Sequence, residues 1–186
     1  FYLILVRHIL ELAYDLFEFI AALKKLVKED GYIMVEVPDY TKPFEQLDHS
    51  TIWEEHIVYF TPETFKNCFT FFGLGIERFK LYPYPLENSL VAIVKNDKNT
   101  SPKFLDRNAL EKESNRALKF SQEFIKTKNK LKSFFSDFRK NNGKIIVFGA
   151  GHNACLLINV FELKDYVDYV VDDNQNKQGL YMPGSH

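Results

Sequence analysis

The feature that most constrains the fold is an alternation at the start of the chain. A continuous apolar run, FYLILV from Phe1 to Val6, is followed by an amphipathic segment and then by a second strand-like run, YIMVEVP from Tyr32 to Pro38. An unbroken apolar run suits a strand buried on both faces. Between the two runs, LFEFIAALKKLVKEDG places Leu16, Phe19, Ile20, Leu23 and Leu26/Val27 at helical spacing. Asp15 is the candidate N-cap of this helix, lysines fill its last turn, Gly31 is its stop, and Pro38 ends the second strand. Strand, helix and strand in this order predict a βαβ unit with parallel strands.

The pattern continues in the same style. Thr61-Pro62-Glu63-Thr64 opens another helix, running to Gly73: Thr61 caps, Pro62 takes the first helical position, and the capping-box glutamate or glutamine is displaced. IERFKLY and SLVAIVK, separated by the PYPLEN turn, read as two more strands. The composition then changes at KNDKNTSP, a polar linker, and a lysine-rich helical stretch follows. Leu110, Ala117, Phe124, Leu131 and Phe138 recur every seven residues there, thickened by Phe120, Phe134 and Phe135. Such a stripe makes one face of a long helix, or of two stacked ones, and predicts packing against a neighbouring domain or subunit, a homodimer included. The lysines lie opposite the stripe with acids interleaved, as on a solvated face, which argues against a nucleic-acid site. From Gly143 on, KIIVFGAGHNACLLINVF reads as strand, glycine turn and helix, and VDYVVDDN as a further strand. The fold class is therefore α/β: a partial Rossmann-like sheet over residues 1–95, a linker and long connecting helix over 96–142, and a second partial Rossmann-like βαβ unit over 143–186.

Two segments carry chemistry. In TIWEEHIVYFTPETF, from Thr51 to Phe65, Glu54, Glu55 and His56 stand among aromatic residues. Charges in such company are expensive to bury unless paired or used, and a histidine beside a carboxylate is a usual general base near neutral pH. The bland alternative is a surface turn with ordinary salt bridges. The second segment, Gly149-Ala150-Gly151-His152-Asn153-Ala154, fits G-x-G-x-x-G/A, with Asp172 and Asp173 about twenty residues on. In a dinucleotide fold the glycines admit a pyrophosphate to the helix N-terminus and the acid holds the ribose. A glycine turn that only packs helix on strand is the other reading.

The formal net charge of −1 gives no global attraction to nucleic acid or anionic membrane, and the composition is ordinary for a cytoplasmic globular protein. FYLILV is too short to span a bilayer and lacks a basic start. Cys68 and Cys155 have no metal-ligand spacing and read as buried free thiols. A chain without an initiator Met, opening on a strand, is expected to begin inside a larger domain.

These residues resemble a known family. The run RHILELAYDLFEFIAALKKLVKEDGYIMVEVPD looks like the second half of a class I S-adenosylmethionine-dependent methyltransferase domain. WEEHIVYFTPETF looks like the Y-x-E-H segment of sugar C-methyltransferases acting on nucleotide-linked ketosugars. VFGAGHNA and VVDDNQNKQGLYMPGS resemble the C-terminal substrate-binding domain of that family. The resemblance implies that His56 is the base removing a proton from the carbon next to a ketone, with Glu55 as its orienting partner. Trp53 stands where the family has a catalytic Tyr. His8 opens His8-Ile9-Leu10-Glu11-Leu12, a variant of the family's H-V-L-E-H without its second histidine, and His8 and the preceding Arg7 are implied at the cofactor, S-adenosylmethionine. Gly149, Gly151, His152, Asn153, Asp172 and Asp173 are implied at the substrate, as is Asn88, in the Glu87-Asn88-Ser89 that replaces a glycine-rich segment. The family's own cofactor glycine loop and zinc module precede the part represented here, so cofactor binding by this chain alone is not expected. Two other classes stay open: a non-catalytic binding or assembly module using the Phe-rich helix, and a nicotinamide-dependent enzyme built on the Gly149 turn.

Overall fold

The computed structural model describes residues 1–85, 87–96, 101–104 and 106–184. Part of the expected linker, at 97–100, and one residue of the PYPLEN turn lie outside them. The described chain divides into two compact units. One comprises Phe1–Asp48 and Glu55–Leu118, the other His49–Glu54 and Lys119–His186.

The first unit is built on a four-stranded sheet of order β1-β2-β4-β3, with β1 at Leu3–Arg7, β2 at Tyr32–Asp39, β3 at Gly75–Tyr82 and β4 at Asn88–Lys95. β1 and β2 are parallel, as the βαβ reading requires, from Leu3↔Tyr32 to Arg7↔Glu36. β4 runs antiparallel to both β2 and β3. Helix α1, Leu16–Leu26, forms the crossover, and Asp15 caps it: its Oδ1 accepts the amides of Phe17 and Glu18 at 2.8 and 3.0 Å. Gly31 lies beyond the helix end and is needed for close approach, since a Cβ there would meet Val27 Cγ2 at 2.7 Å and the Phe1 carbonyl at 2.8 Å.

After β2 comes a short helix α2, Thr41–Gln46; Ile20 and Leu23 from α1, and Phe65 and Phe69 from α3 (Pro62–Phe71), cover one face of the sheet. That face presents Val6, Ile33, Val35, Val37, Leu90, Ala92 and Val94. On the other face Leu3 and Leu5 are exposed, so β1 is buried on one side and not on both. The apolar run misleads because it encodes an edge strand of this sheet, paired only with β2. Pro38 falls inside β2 rather than ending it, opposite Ser89. A proline is tolerated there because the β1 ladder has already stopped at Glu36.

α3 has a complete capping box, closed by a threonine instead of the usual acid or amide. Thr61 Oγ1 accepts the Thr64 amide at 3.3 Å, and Thr64 Oγ1 accepts the Thr61 amide at 2.9 Å. Thr61 Oγ1 also donates to buried Glu113 at 3.0 Å, whose second oxygen binds Arg116.

Glu113 belongs to α4, a single helix of 36 residues, Arg107–Asn142. From Lys119 on, α4 forms part of the second unit with β5 (Ile146–Phe148), α5 (His152–Val160) and β6 (Tyr169–Val171). β5 and β6 pair in parallel. Only part of the seven-residue stripe packs within this unit: Phe124 and Leu131, with Phe135, meet Leu156, Phe161 and Leu163, while Phe134 and Phe138 stay exposed, as do Leu110 and Ala117 in the first unit. Buried His49 joins them, its Nε2–H donating to the Phe120 carbonyl at 2.9 Å. Cys68 is buried and its thiol pushed up to about 12 by burial, but Cys155 is only partly covered, its Sγ lying between Asn159 Nδ2 at 3.3 Å and the Pro183 carbonyl at 3.6 Å.

Lys128 and Lys132 of α4 both donate to Glu162, just beyond α5, and hold its carboxyl down to about 2. A depressed carboxylate favours the folded state above its ordinary value of 4.5 and loses that contribution as pH falls towards 2. An NMR titration should find the Glu162 midpoint near 2, and the Lys128→Ala/Lys132→Ala pair should return it towards 4.5. Phe124→Ala, removing a ring 5.2 Å from Phe161, should cost about 2–3 kcal/mol in urea unfolding, below the value for a fully buried Phe.

Candidate functional site

The geometry around His56 begins at the end of β2. Asp39 turns the chain there: its Oδ1 accepts the Thr41 amide at 3.0 Å and the Thr41 hydroxyl at 2.6 Å, and its Oδ2 accepts Asn88 Nδ2 at 3.2 Å. The next residue, Tyr40, is almost fully buried, and its amide donates to the Phe60 carbonyl at 2.8 Å. After β1 a short 3-10 turn, Leu10–Leu12, aims the Glu11 carbonyl at the same loop, where it accepts the amides of Ile57 at 2.8 Å and Val58 at 3.1 Å. The chain is therefore pinned immediately after His56.

The His56 side chain meets Tyr40. Nδ1 lies 3.3 Å from the Tyr40 hydroxyl, and Tyr59 packs edge-on to Tyr40 with ring centres 4.3 Å apart. Burial pushes the Tyr40 hydroxyl far above its ordinary value, so it stays a neutral phenol. Glu55 is exposed and has no described bond to His56. Trp53 belongs to the other unit. Sequence reasoning missed Tyr40; the available signal was its place as the first aromatic after a strand end, where ligand-facing groups of α/β folds gather.

Beside this lies a cavity of about 480 Å³ whose lining includes Arg7, His8, Glu36, Tyr84, Glu87 and Asn88. Arg7 Nε donates to Glu36 Oε2 at 2.5 Å, which holds the Glu36 carboxyl below its usual range. Glu36 also accepts the Ser89 hydroxyl at 3.0 Å. His8 sits at φ +50°, with Nδ1 3.4 Å from Glu11 Oε1 and Nε2 3.8 Å from Glu36 Oε1. Glu11 is buried and neither carboxyl oxygen has a hydrogen bond among the described residues. Burial raises its carboxyl above the ordinary value, and does the same to Glu87.

The second unit brings together three other expected residues. The Trp53 indole stacks on His152, ring centres 3.5 Å apart and planes within 25°. His152 Nδ1 lies 3.0 Å from Glu54 Oε2, and Nε2 lies 3.3 Å from the Ile52 carbonyl. Trp53 and His152 line a cavity of about 490 Å³ with Gly149, Gly151 and Asn153. Asp173 is exposed, whereas Asp172 is engaged. Asp172 Oδ2 accepts the Ala150 amide at 2.7 Å and Lys177 Nζ at 3.1 Å, while its Oδ1 accepts the Asn174 amide at 2.8 Å. These bonds, led by that from Asn174, hold its carboxyl below the usual range. Its place is thus on the glycine turn itself. Gly149 donates to the Val171 carbonyl at 2.7 Å, so two amides of the turn are already used within the protein.

Residues 95–186 match the family model described as the C-methyltransferase C-terminal domain. No curated protein matches the chain. Among the described residues no helix is long and apolar enough to cross a membrane.

The two glycines of the turn should behave differently. Gly149 has φ +99°, whereas Gly151 has φ −105° and a Cβ there would meet nothing within 4 Å. Gly149→Ala should lower stability by about 1–2 kcal/mol and Gly151→Ala by almost nothing, as read by thermal unfolding.

Proposed function

From the membership of residues 95–186 in the C-methyltransferase family, we propose that the chain serves methylation at carbon of a nucleotide-linked ketosugar or a similar small ketone, with His56 as the general base. The observation that carries this is the His56–Tyr40 contact at 3.3 Å, on a loop pinned by the Glu11 and Phe60 carbonyls. Removing a proton from carbon beside a carbonyl requires a base held in place and of near-neutral strength.

The assignment fixes the tautomer. With Nδ1–H donating to the Tyr40 oxygen, Nε2 carries the lone pair that takes the proton. The C–H bond breaks, its electron pair enters the enolate, and the proton forms the imidazolium. A neutral phenol orients the ring without the strong pull on its proton that a carboxylate partner would exert.

Membership in a methyltransferase family implies S-adenosylmethionine as methyl donor in general; when bound, it supplies an electrophilic methyl group. Arg7 and His8, proposed beside it, fit only in part, because the Arg7 guanidinium is committed to Glu36. The steps assigned to this chain's residues therefore end at the enolate. For the substrate, the cavity at Gly149, Gly151 and His152 offers the open first turn of α5 to an anionic group and the Trp53–His152 stack to an aromatic base. The engaged state of Asp172 favours this over a dinucleotide site, in which that acid would face a ribose.

Exchange of the substrate's α-hydrogen for deuterium in D₂O, read by NMR without methyl donor, tests the base directly. His56→Asn should slow it by about 10²–10⁴-fold and Tyr40→Phe by about tenfold, with nucleotide affinity unchanged in both. Exchange at the wild-type rate in His56→Asn would remove the assignment.

A further inference from the structure

The loop that carries His56 is interrupted by a segment that folds elsewhere. Asp48 and Glu55 belong to the first unit, whereas His49–Glu54, between them, belongs to the second. The start of this segment is anchored by His49. Its ring is 3% exposed, 4.3 Å from that of Phe120 and 5.4 Å from that of Phe124, and its Nε2–H donates to the Phe120 carbonyl at 2.9 Å. Ile52 packs on the cluster of Leu156, Phe161 and Leu163. The end of the segment is gathered by one residue of α5, His152. Its ring stacks on Trp53, Nδ1 lies 3.0 Å from Glu54 Oε2, and Nε2 lies 3.3 Å from the Ile52 carbonyl.

This anchoring is incomplete. His49 Nδ1 is buried and has no hydrogen-bond partner among the described residues. A buried acceptor left unmet weakens the anchor that carries it. At the other end Trp53 is 41% exposed and the Glu54 side chain 64%. The segment is therefore a strap, fastened at both ends and open to further fastening. Glu54 is followed directly by Glu55 and His56, and the next two amides, Ile57 and Val58, are the pair held by the Glu11 carbonyl. His56 stands between the strap and that pin.

We propose that the strap positions His56 for proton removal, with His49 and His152 as positioning residues, and that a nucleoside diphosphate group entering beside Trp53 and His152 tightens it. Binding energy from the part of the substrate that does not react is then spent on orienting the base against Tyr40. No bond is made or broken at the strap. The inference rests on the nucleotide-sugar reading given above.

Amide hydrogen exchange of the full chain, followed by NMR with and without UDP, tests it. In Glu54→Ala and in His49→Ala the Ile57 and Val58 amides should exchange about tenfold faster than in the wild type, while the amides of β2 and β4 keep their rates. The nuclear Overhauser contact between the His56 and Tyr40 rings should weaken in parallel. Glu54→Ala changes an exposed residue and keeps the test open if His49→Ala does not fold. Saturating UDP should slow the same two amides of the wild type by about tenfold. Unchanged Ile57 and Val58 rates in the variants would overturn the strap. UDP that binds without slowing them would overturn the part given to the ligand and leave the nucleotide-sugar reading standing. Absence of UDP binding by calorimetry would overturn that reading and the ligand's part together, and the variants then decide the positioning role by themselves.

Discussion

The first unit depends on one acceptor, the backbone carbonyl of Glu11, which takes the amides of Ile57 and Val58. Through it the turn after β1 fixes the loop after β2, although some 45 residues of chain separate them. Backbone groups buried in loops must be bonded somewhere, and here that requirement also positions a side chain. His56 directly precedes the pinned pair, and Tyr40, at the start of the same loop, is held by Phe60. The backbone beside His56 is thus placed by main-chain bonds, and its ring meets the Tyr40 hydroxyl.

Much of the fold could be read from local chemistry. Asp15 and Thr61 announce their helices because a capping oxygen acts within three residues, and the parallel pairing of β1 with β2 follows from the helix between them. The errors share a cause. FYLILV looks doubly buried, but burial depends on what covers the sheet, and Leu3 and Leu5 face outward. Cys155 lies in an apolar helical pattern yet stays partly open. Pro38 looks like a strand terminator because its lost amide matters only if a neighbouring strand would have used it.

The candidate site was legible as residue types more than as pairs. His56 stood out in its segment, but Glu55, its neighbour in sequence, turns to solvent, and the contact to Nδ1 comes from Tyr40. Glu55 lies in a turn and His56 just after it, and neighbours across a turn need not point the same way, so adjacency in sequence is poor evidence of contact. Trp53 and His152 illustrate the converse. They were noted for different reasons about a hundred positions apart, and the fold stacks their rings. Glu11 carried no signal beyond its motif, because neither its buried carboxyl nor its structural carbonyl has a composition cue.

The bond from the Ala150 amide to Asp172, reinforced by Lys177 and Asn174, means that the glycine turn is assembled before any ligand arrives. Loops that order only on binding give up part of their contact energy to lost chain entropy. This one has already met that cost during folding. A molecule entering beside Gly151 encounters a finished surface, and selectivity there rests on whether its shape matches a fixed contour.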